Sequence, residues 1–261
     1  MTILDEIIDR NREALNRQRK VISLEQQMAA AEAAPPALDF KAALSRAETV
    51  NVIAELKKAS PSKGIIRPEF DVIKLSRMLA DNGAAALSVL TEQFYFKGSL
   101  EYLKQVKANV SIPVLRKDFI FDPYQVYEAK AVGADAILLI AAALDIALFD
   151  ELHCLARQLG LHVLSEIHNQ TELDMVMECD VEIIGINCRD LKTFKTDLAV
   201  TRQLLAKIPN DKVKVAESGI KTSQDIQGLQ GQGAQAFLIG ETVMSADNPG
   251  VALGVLLNSE A

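Results

Sequence analysis

The sequence predicts an α/β protein, a (β/α)8 TIM barrel with an additional helical N-terminal arm. Three observations carry this. From residue 51 onward, short β-rich runs alternate with stretches of helical apolar spacing; eight such units fill the chain; and polar residues end most of the strands. A doubly wound open sheet is the competing arrangement. It fits less well, because no G-x-G-x-x-G follows the first strand and its polar strand ends would gather at one or two places.

In chain order, Ile3, Leu4, Ile7, Ile8, Leu15 and Val21 sit at helical spacing among charges, which predicts a helical segment from residue 3 to about residue 30. Ala33-Ala34-Pro35-Pro36 ends it. Arg10, Arg12, Arg17, Arg19 and Lys20 cluster there, but Asp9 and Glu13 interrupt them, so a solvated helix face is expected rather than a nucleic-acid arm. Residues 1–45 are expected to form an extension packed on one barrel domain spanning 1–261.

The expected strands are Val52–Lys57, Ala86–Leu90, Pro113–Lys117, Ala136–Ile140, His162–Glu166, Ile183–Asn187, Val213–Glu217 and Ala236–Ile239. Helical spacing marks Asp71–Asn82, Pro123–Val132, Leu148–Leu159, Gln170–Glu178 and Ala199–Ile208 among the segments between them. Gly83, Gly133 and Gly160 stand just after helical runs and just before strands, where an αβ turn needs the left-handed conformation.

Composition narrows the function. With 49% hydrophobic and 24% charged residues, the chain has the profile of an ordinary soluble enzyme. A formal net charge of −7 opposes broad nucleic-acid binding, which needs a positive field. The cysteines, Cys154, Cys179 and Cys188, show no C-x-x-C spacing, so reduced and mostly buried thiols are expected. No signal h-region or membrane span is evident, which makes cytoplasm the expectation. His153, His162 and His168 form no H-x-x-x-H or H-E-x-x-H motif; they are expected on helix or loop surfaces, with no metal and no cofactor.

The chemistry is concentrated at the strand ends. Glu55 and Lys57 share a face with Ile53, since residues two apart on a strand point the same way. The same counting keeps Lys117 with Leu115, Glu166 with Leu164 and Glu217 with Val215, and Asn187 ends a sixth strand. Thr91-Glu92 occupies the matching position after the second strand. Two amines, three carboxylates and an amide around one mouth make a costly interior, because buried charge stabilises a fold no better than apolar groups do. They suit acid–base chemistry near neutral pH: crowded carboxylates retain protons, and neighbouring lysines lose them. Ser60-Pro61-Ser62-Lys63-Gly64 offers hydroxyls and backbone N–H groups to an anion. Glu217-Ser218-Gly219-Ile220 and Leu238-Ile239-Gly240-Glu241 each place a Gly close behind a strand, in the loops where barrels hold phosphate, although the Glu241 carboxylate would repel a phosphate unless turned away.

These segments resemble the indole-3-glycerol-phosphate synthase family across nearly the whole chain. The resemblance rests on Val52-Ile-Ala-Glu-Leu-Lys-Lys-Ala-Ser-Pro-Ser62, on Leu90-Thr-Glu with Tyr95-Phe96-x-Gly-Ser99, and on Leu115-Arg-Lys-Asp-Phe-Ile120. Gly185-Ile-Asn187 with Arg189-Asp-Leu191, Ala216-Glu-Ser-Gly-Ile220 and Leu238-Ile-Gly-Glu241 extend it. It implies closure of 1-(2-carboxyphenylamino)-1-deoxyribulose 5-phosphate to indole-3-glycerol phosphate with loss of carbon dioxide and water, a step of tryptophan biosynthesis. By the resemblance, Lys117 is the general acid, and Lys57 and Arg189 hold the departing carboxylate. Glu55, Lys57 and Glu166 share the dehydration, while Asn187 and Glu217 orient the sugar. Ser60, Ser218, Gly219 and Gly240 cradle the phosphate, and Phe96 and Phe119 pack on the anthranilate ring.

Cys188 stands where many relatives have a second Asn, and a packing change is expected there. The isomerase barrel fused to some relatives is not expected here, since the sequence ends soon after the eighth unit. A small-molecule phosphosugar–anthranilate substrate is expected, with no nucleic-acid or membrane partner and a monomeric or weakly dimeric state. A Schiff-base aldolase using Lys57 or Lys117 is the alternative enzyme, and a phosphosugar-binding barrel without turnover the alternative of another class.

Overall fold

The computed structural model describes residues 2–190 and 195–258; Leu191 of the motif quoted above lies outside them. The arm comprises α1 (Ile3–Gln18), α2 (Leu24–Glu32) and α3 (Phe40–Leu44). One helical segment was the expectation for residues 3 to 30. The structure divides it, because Ser23 and Gln26 exchange side-chain and backbone bonds in a capping box that starts a new helix.

The barrel strands are β1 (Asn51–Leu56), β2 (Ala86–Leu90), β3 (Val114–Lys117), β4 (Ala136–Ile140), β5 (His162–Ile167), β6 (Ile183–Asn187), β7 (Val213–Glu217) and β8 (Ala236–Ile239). They pair in parallel in sequence order, and β8 closes on β1. Between them run α4 (Val72–Asp81), α5 (Leu100–Lys107), α6 (Pro123–Ala131), α7 (Ile146–Gln158), α8 (Gln170–Met177), α9 (Leu198–Leu205) and α10 (Ser223–Gln230); α11 (Glu241–Met244) and α12 (Pro249–Leu257) follow β8. Each of α4 to α10 opens on a side-chain cap, namely Asp71, Ser99, Asp122, Asp145, Asn169, Asp197 and Thr222. Such caps satisfy N–H groups that the first helical turn leaves open.

Strand alternation divides the core in two. Val52, Ala54 and Leu56 of β1 face the helices, whereas Ile53 joins Leu115, Leu138, Leu164, Val215 and Leu238 inside the barrel. The lower end of that interior is plugged from the arm by Phe40 and Leu44, both fully buried. Asn51 ties the plug down, its amide donating to the carbonyls of Leu44, Arg46 and Gln235. With its lower end filled, the barrel leaves charged groups room only at the C-terminal mouth.

Arg10, Arg12, Arg17, Arg19 and Lys20 are exposed, as the solvated face predicts, and three of the arginines also cover aromatic rings. Arg10 lies over the Phe94 and Tyr95 rings, Arg12 over Phe121 and Arg19 over Tyr124, each within 5.1 to 6.0 Å of a centroid. Arg19 also pairs with Asp122, Gln18 donates to Glu128, and the Tyr95 hydroxyl donates to Glu6 at 2.5 Å. These solvent-facing cations thus also fasten the arm to the loops after β2 and β3.

Candidate active site

At the C-terminal mouth a cavity is walled by Glu55, Lys57, Ser60, Phe96, Lys117, Phe119, Glu166, Asn187, Arg189, Glu217 and Ser218, all expected from the sequence. Ile3, Leu4 and Ile7 of the arm line it as well, as do Leu90, Asp118, Leu138, Ile140, Leu238 and Glu241. The arm residues carried no sequence signal beyond helical spacing, because reaching the mouth depends on how α1 docks.

Lys117 sits at the centre. Its Nζ lies 3.0 Å from Glu166 Oε2 and 3.7 Å from Glu217 Oε2, and the side chain is 14% exposed. Burial pushes its ammonium toward deprotonation, but Glu166, Glu217 and Glu55 outweigh that and hold it above the usual lysine range. This reverses the expectation that crowded lysines lose protons, since Lys117 is surrounded by carboxylates. Burial raises Glu166, yet Lys117 and His168, with bonds from Lys117 and Asn187, bring it down to about 2. Glu217 moves the other way: burial raises it, Glu166 adds to the rise, and Lys117 offsets only part. Of the two carboxyls, Glu217 is therefore the one that takes up a proton first as pH falls.

On β1, Lys57 Nζ reaches Glu55 Oε2 at 2.5 Å. A Cβ on Gly240 would lie 2.3 Å from that same Glu55 oxygen. Neither Gly240 nor Gly219 reaches the cavity wall; Gly240 gives Glu55 the space it occupies, and Gly219 packs toward Leu198, Cys188 and Thr196. Ser218 and Gly219 both adopt left-handed backbone, with φ of 64° and 73°, the geometry that turns successive N–H groups to one side. Ser60 Oγ accepts from the Lys63 N–H at 3.2 Å.

Arg189 Nη2 donates to Glu241 Oε2 at 3.3 Å, and Lys63 Nζ approaches Glu241 Oε1 at 3.6 Å. The Glu241 carboxylate, which alone would oppose an anion, is thereby directed to two cations. Phe96 and Phe119 face each other with centroids 6.1 Å apart, tilted by 40°. Cys188 is buried, its Sγ 3.5 Å from the carbonyls of Glu217 and Ser218, in keeping with a packing role.

Other expectations change. Glu92 is a loop brace: its carboxylate accepts the N–H groups of Phe94, Tyr95 and Phe96 at 2.7 to 2.9 Å. Thr91 turns to Asp118. Of the cysteines, Cys154 is exposed, whereas Cys179 and Cys188 are buried. Two histidines leave the surface. His153 is buried against Phe149 on α7, and His168 stands beside Glu166. Among the described residues, the one trio of side chains able to meet at a metal is Asp150, His153 and Cys154 on outer helix α7, away from the cavity-lining set.

The sequence model described as indole-3-glycerol phosphate synthase matches residues 4–255. The chain belongs to the indole-3-glycerol phosphate synthase family. An indole-3-glycerol phosphate synthase from Alkaliphilus metalliredigens is 47% identical over 251 residues, 96% of each chain. Another, from Verminephrobacter eiseniae, is 45% identical over 97% of this chain and 98% of its own. A third, from Rhodopirellula baltica, is 42% identical over 99% of this chain and 100% of its own. Among solved structures, 3-hexulose-6-phosphate synthase from Salmonella typhimurium superimposes with a TM-score of 0.65 at 13% identity, covering 79% of this chain and 96% of that one. At that identity the likeness concerns the barrel alone. In the described residues, no helix of this indole-3-glycerol phosphate synthase family member is long and apolar enough to cross a membrane.

Proposed function

We propose that this chain closes 1-(2-carboxyphenylamino)-1-deoxyribulose 5-phosphate to indole-3-glycerol phosphate, releasing carbon dioxide and water by general acid–base catalysis. The observation that carries the residue assignment is Lys117, an ammonium buried among Glu166, Glu217 and Glu55 on the cavity floor. Ring closure turns the substrate ketone into an alkoxide, which is more basic than an amine. An ammonium held protonated at every physiological pH is a competent donor to it. The carboxylate leaves as carbon dioxide and the ketone oxygen leaves as water, so each turnover consumes one proton.

Phe96 and Phe119 supply an aromatic wall for the anthranilate ring, and Lys57 and Arg189 supply cations for its carboxylate. Ser60 and the turned backbone at Ser218 and Gly219 support a phosphate site; Gly240 contributes by making room for Glu55. Dehydration falls to Glu55, Lys57 and Glu166. Glu166, held ionised by its neighbours, is the base of that set. Asn187 and Glu217 orient the sugar, and Glu217 Oε1, buried without a hydrogen-bond partner in the described residues, is open to a substrate hydroxyl.

This reading takes residues 1–261 as one barrel domain with 1–45 as its arm, supported by the Phe40 and Leu44 plug. The reading takes the protein as a monomer or weak homodimer, and its free cysteines support a reducing cytoplasm.

The test mixes purified protein with the carboxyphenylamino-deoxyribulose phosphate and follows indole fluorescence, which a chain without Trp reports on a low background. Wild type should form product, and Lys117→Ala should lose about 10²–10⁴-fold in kcat. Absence of product from wild type, or borohydride trapping of a lysine adduct, would replace this reading with the aldolase.

A further inference from the structure

His168, the residue after β5, is a half-buried titratable group beside Glu166 that the mechanism above leaves unused. Its backbone N–H donates to Glu172 Oε2 at 2.7 Å, and its ring Nδ1 lies 3.1 Å from the same oxygen. Glu172 is itself held: its other oxygen accepts from Asn169 Nδ2 at 2.6 Å, and its N–H returns to Asn169 Oδ1 in the cap of α8. On the other side of the ring, Nε2 stands 3.5 Å from Glu166 Oε1. The second Glu166 oxygen, Oε2, takes the Lys117 bond. One oxygen of the carboxylate thus faces His168 and the other Lys117, with a further bond from Asn187.

The chemistry of the ring decides its state. Glu172 is acceptor-only, so Nδ1 carries a hydrogen. Were Nε2 bare, its lone pair would face a carboxylate oxygen inside the protein, where an unpaired acceptor costs most. Nε2 is buried and makes no hydrogen bond among the described residues, so Glu166 Oε1 at 3.5 Å is an ion-pair contact that tightens when Nε2 carries a proton. The doubly protonated ring is the form that both glutamates favour. The groups facing the ring are Glu166 from β5, Glu172 from α8, Lys117 from β3, and Arg189 and Asp190 across a second, shallower cavity after β6. Burial lowers His168, and the two glutamates, against Lys117, bring it above the free imidazole value.

We propose that His168 is a positioning residue for the reaction: anchored on Glu172 and aimed at Glu166, it holds that carboxylate ionised and turned toward Lys117. The proposal rests on the reading of Glu166 and Lys117 given under Proposed function. Without the imidazolium, Glu166 loses one of its two cationic neighbours, becomes easier to protonate and is held by Lys117 and Asn187 alone. Turnover then falls, and it falls first at low pH.

Two measurements test this. In the first, the ring nitrogens of the protein are titrated by NMR, where only three histidines need assignment. His168 should stay protonated above the ordinary imidazole range in wild type, and Glu172→Gln and Glu166→Gln should each move its titration down by about one pH unit. In the second, kcat and KM are profiled against pH for wild type, His168→Leu and His168→Gln. His168→Leu should lower kcat about tenfold with KM unchanged, and its acid limb should rise by about one pH unit. Gln keeps a donor without charge, so it should restore part of kcat but leave the acid limb raised. A ring that titrates as free histidine, an acid limb unmoved in His168→Leu, or full rescue by Gln would each overturn the proposal. Loss of product from wild type would instead strike the functional reading, and the NMR titration would still report on the clamp.

Discussion

Glu217 turns into the barrel over Gly185 of the neighbouring strand, and the two cannot both carry a full side chain. A Cβ placed on Gly185 would lie 2.1 Å from Glu217 Oε1 and 3.1 Å from Leu164 Cδ1. The glycine on β6 is the space in which the carboxylate of β7 approaches Lys117 and Glu166.

Gly185→Ala is accordingly expected to displace the Glu217 carboxylate while leaving the barrel folded. A misplacement of about 1 Å is worth on the order of 10² in kcat. Kinetics on Gly185→Ala, Glu217→Gln and the double variant check this. The two changes act on one group, so the double variant should be no slower than Glu217→Gln. Losses that multiply would show that Gly185 serves something other than Glu217.

Glu217 should also cost stability at neutral pH. Its folded carboxyl is raised well above the usual value by burial and by Glu166, so it binds its proton more tightly folded than unfolded. Its contribution is fully present below the unfolded value near 4.3 and is lost as pH rises toward the folded value. Glu217→Gln removes that loss. Thermal melts should therefore place the variant above wild type at pH 8, by a few degrees on a scale of about 2–4 °C per kcal/mol, with the gap closing at pH 4. A constant gap at both pH values would contradict the assignment of the proton. Glu166 runs the opposite way: lowered to about 2, it stabilises the fold above about pH 4.3, and that contribution fades as acid is added.

The arm should matter for substrate affinity. Ile3, Leu4 and Ile7 line the cavity, and Leu4 and Ile7 are buried at 7% and 3% exposure. Deleting residues 1–34 keeps the Phe40 and Leu44 plug and removes the apolar wall. KM should rise tenfold or more, since one buried aliphatic side chain is worth about 1.5–3 kcal/mol. Ile7→Ala should move KM in the same direction by less. An unchanged KM in the truncated protein would make the arm a cover only.

Much of this molecule is legible locally. Alternation with a period of two placed Glu55, Lys117, Glu166 and Glu217 on the inner face of their strands, because strand geometry leaves a side chain only two directions. Helix spacing, with left-handed glycines at Gly83, Gly133 and Gly160, marked the βα units. Closure of eight such units, with the interior filled below, then directed every inward polar end to one mouth.

Other features depend on distances between segments far apart in the chain. The docking of α1 brings Ile3, Leu4 and Ile7 to the cavity, and the turn after β5 brings His168 to Glu166. Which cation meets Glu241, and whether Lys117 gains or loses affinity for its proton, depend on the charges that surround each group, and charge energies fall off with separation. The amino-acid order therefore settled which strand residues point inward, since that follows from bond geometry along each strand; the arm residues that join them, their partners and their protonation were settled only by packing, since those follow from position in three dimensions.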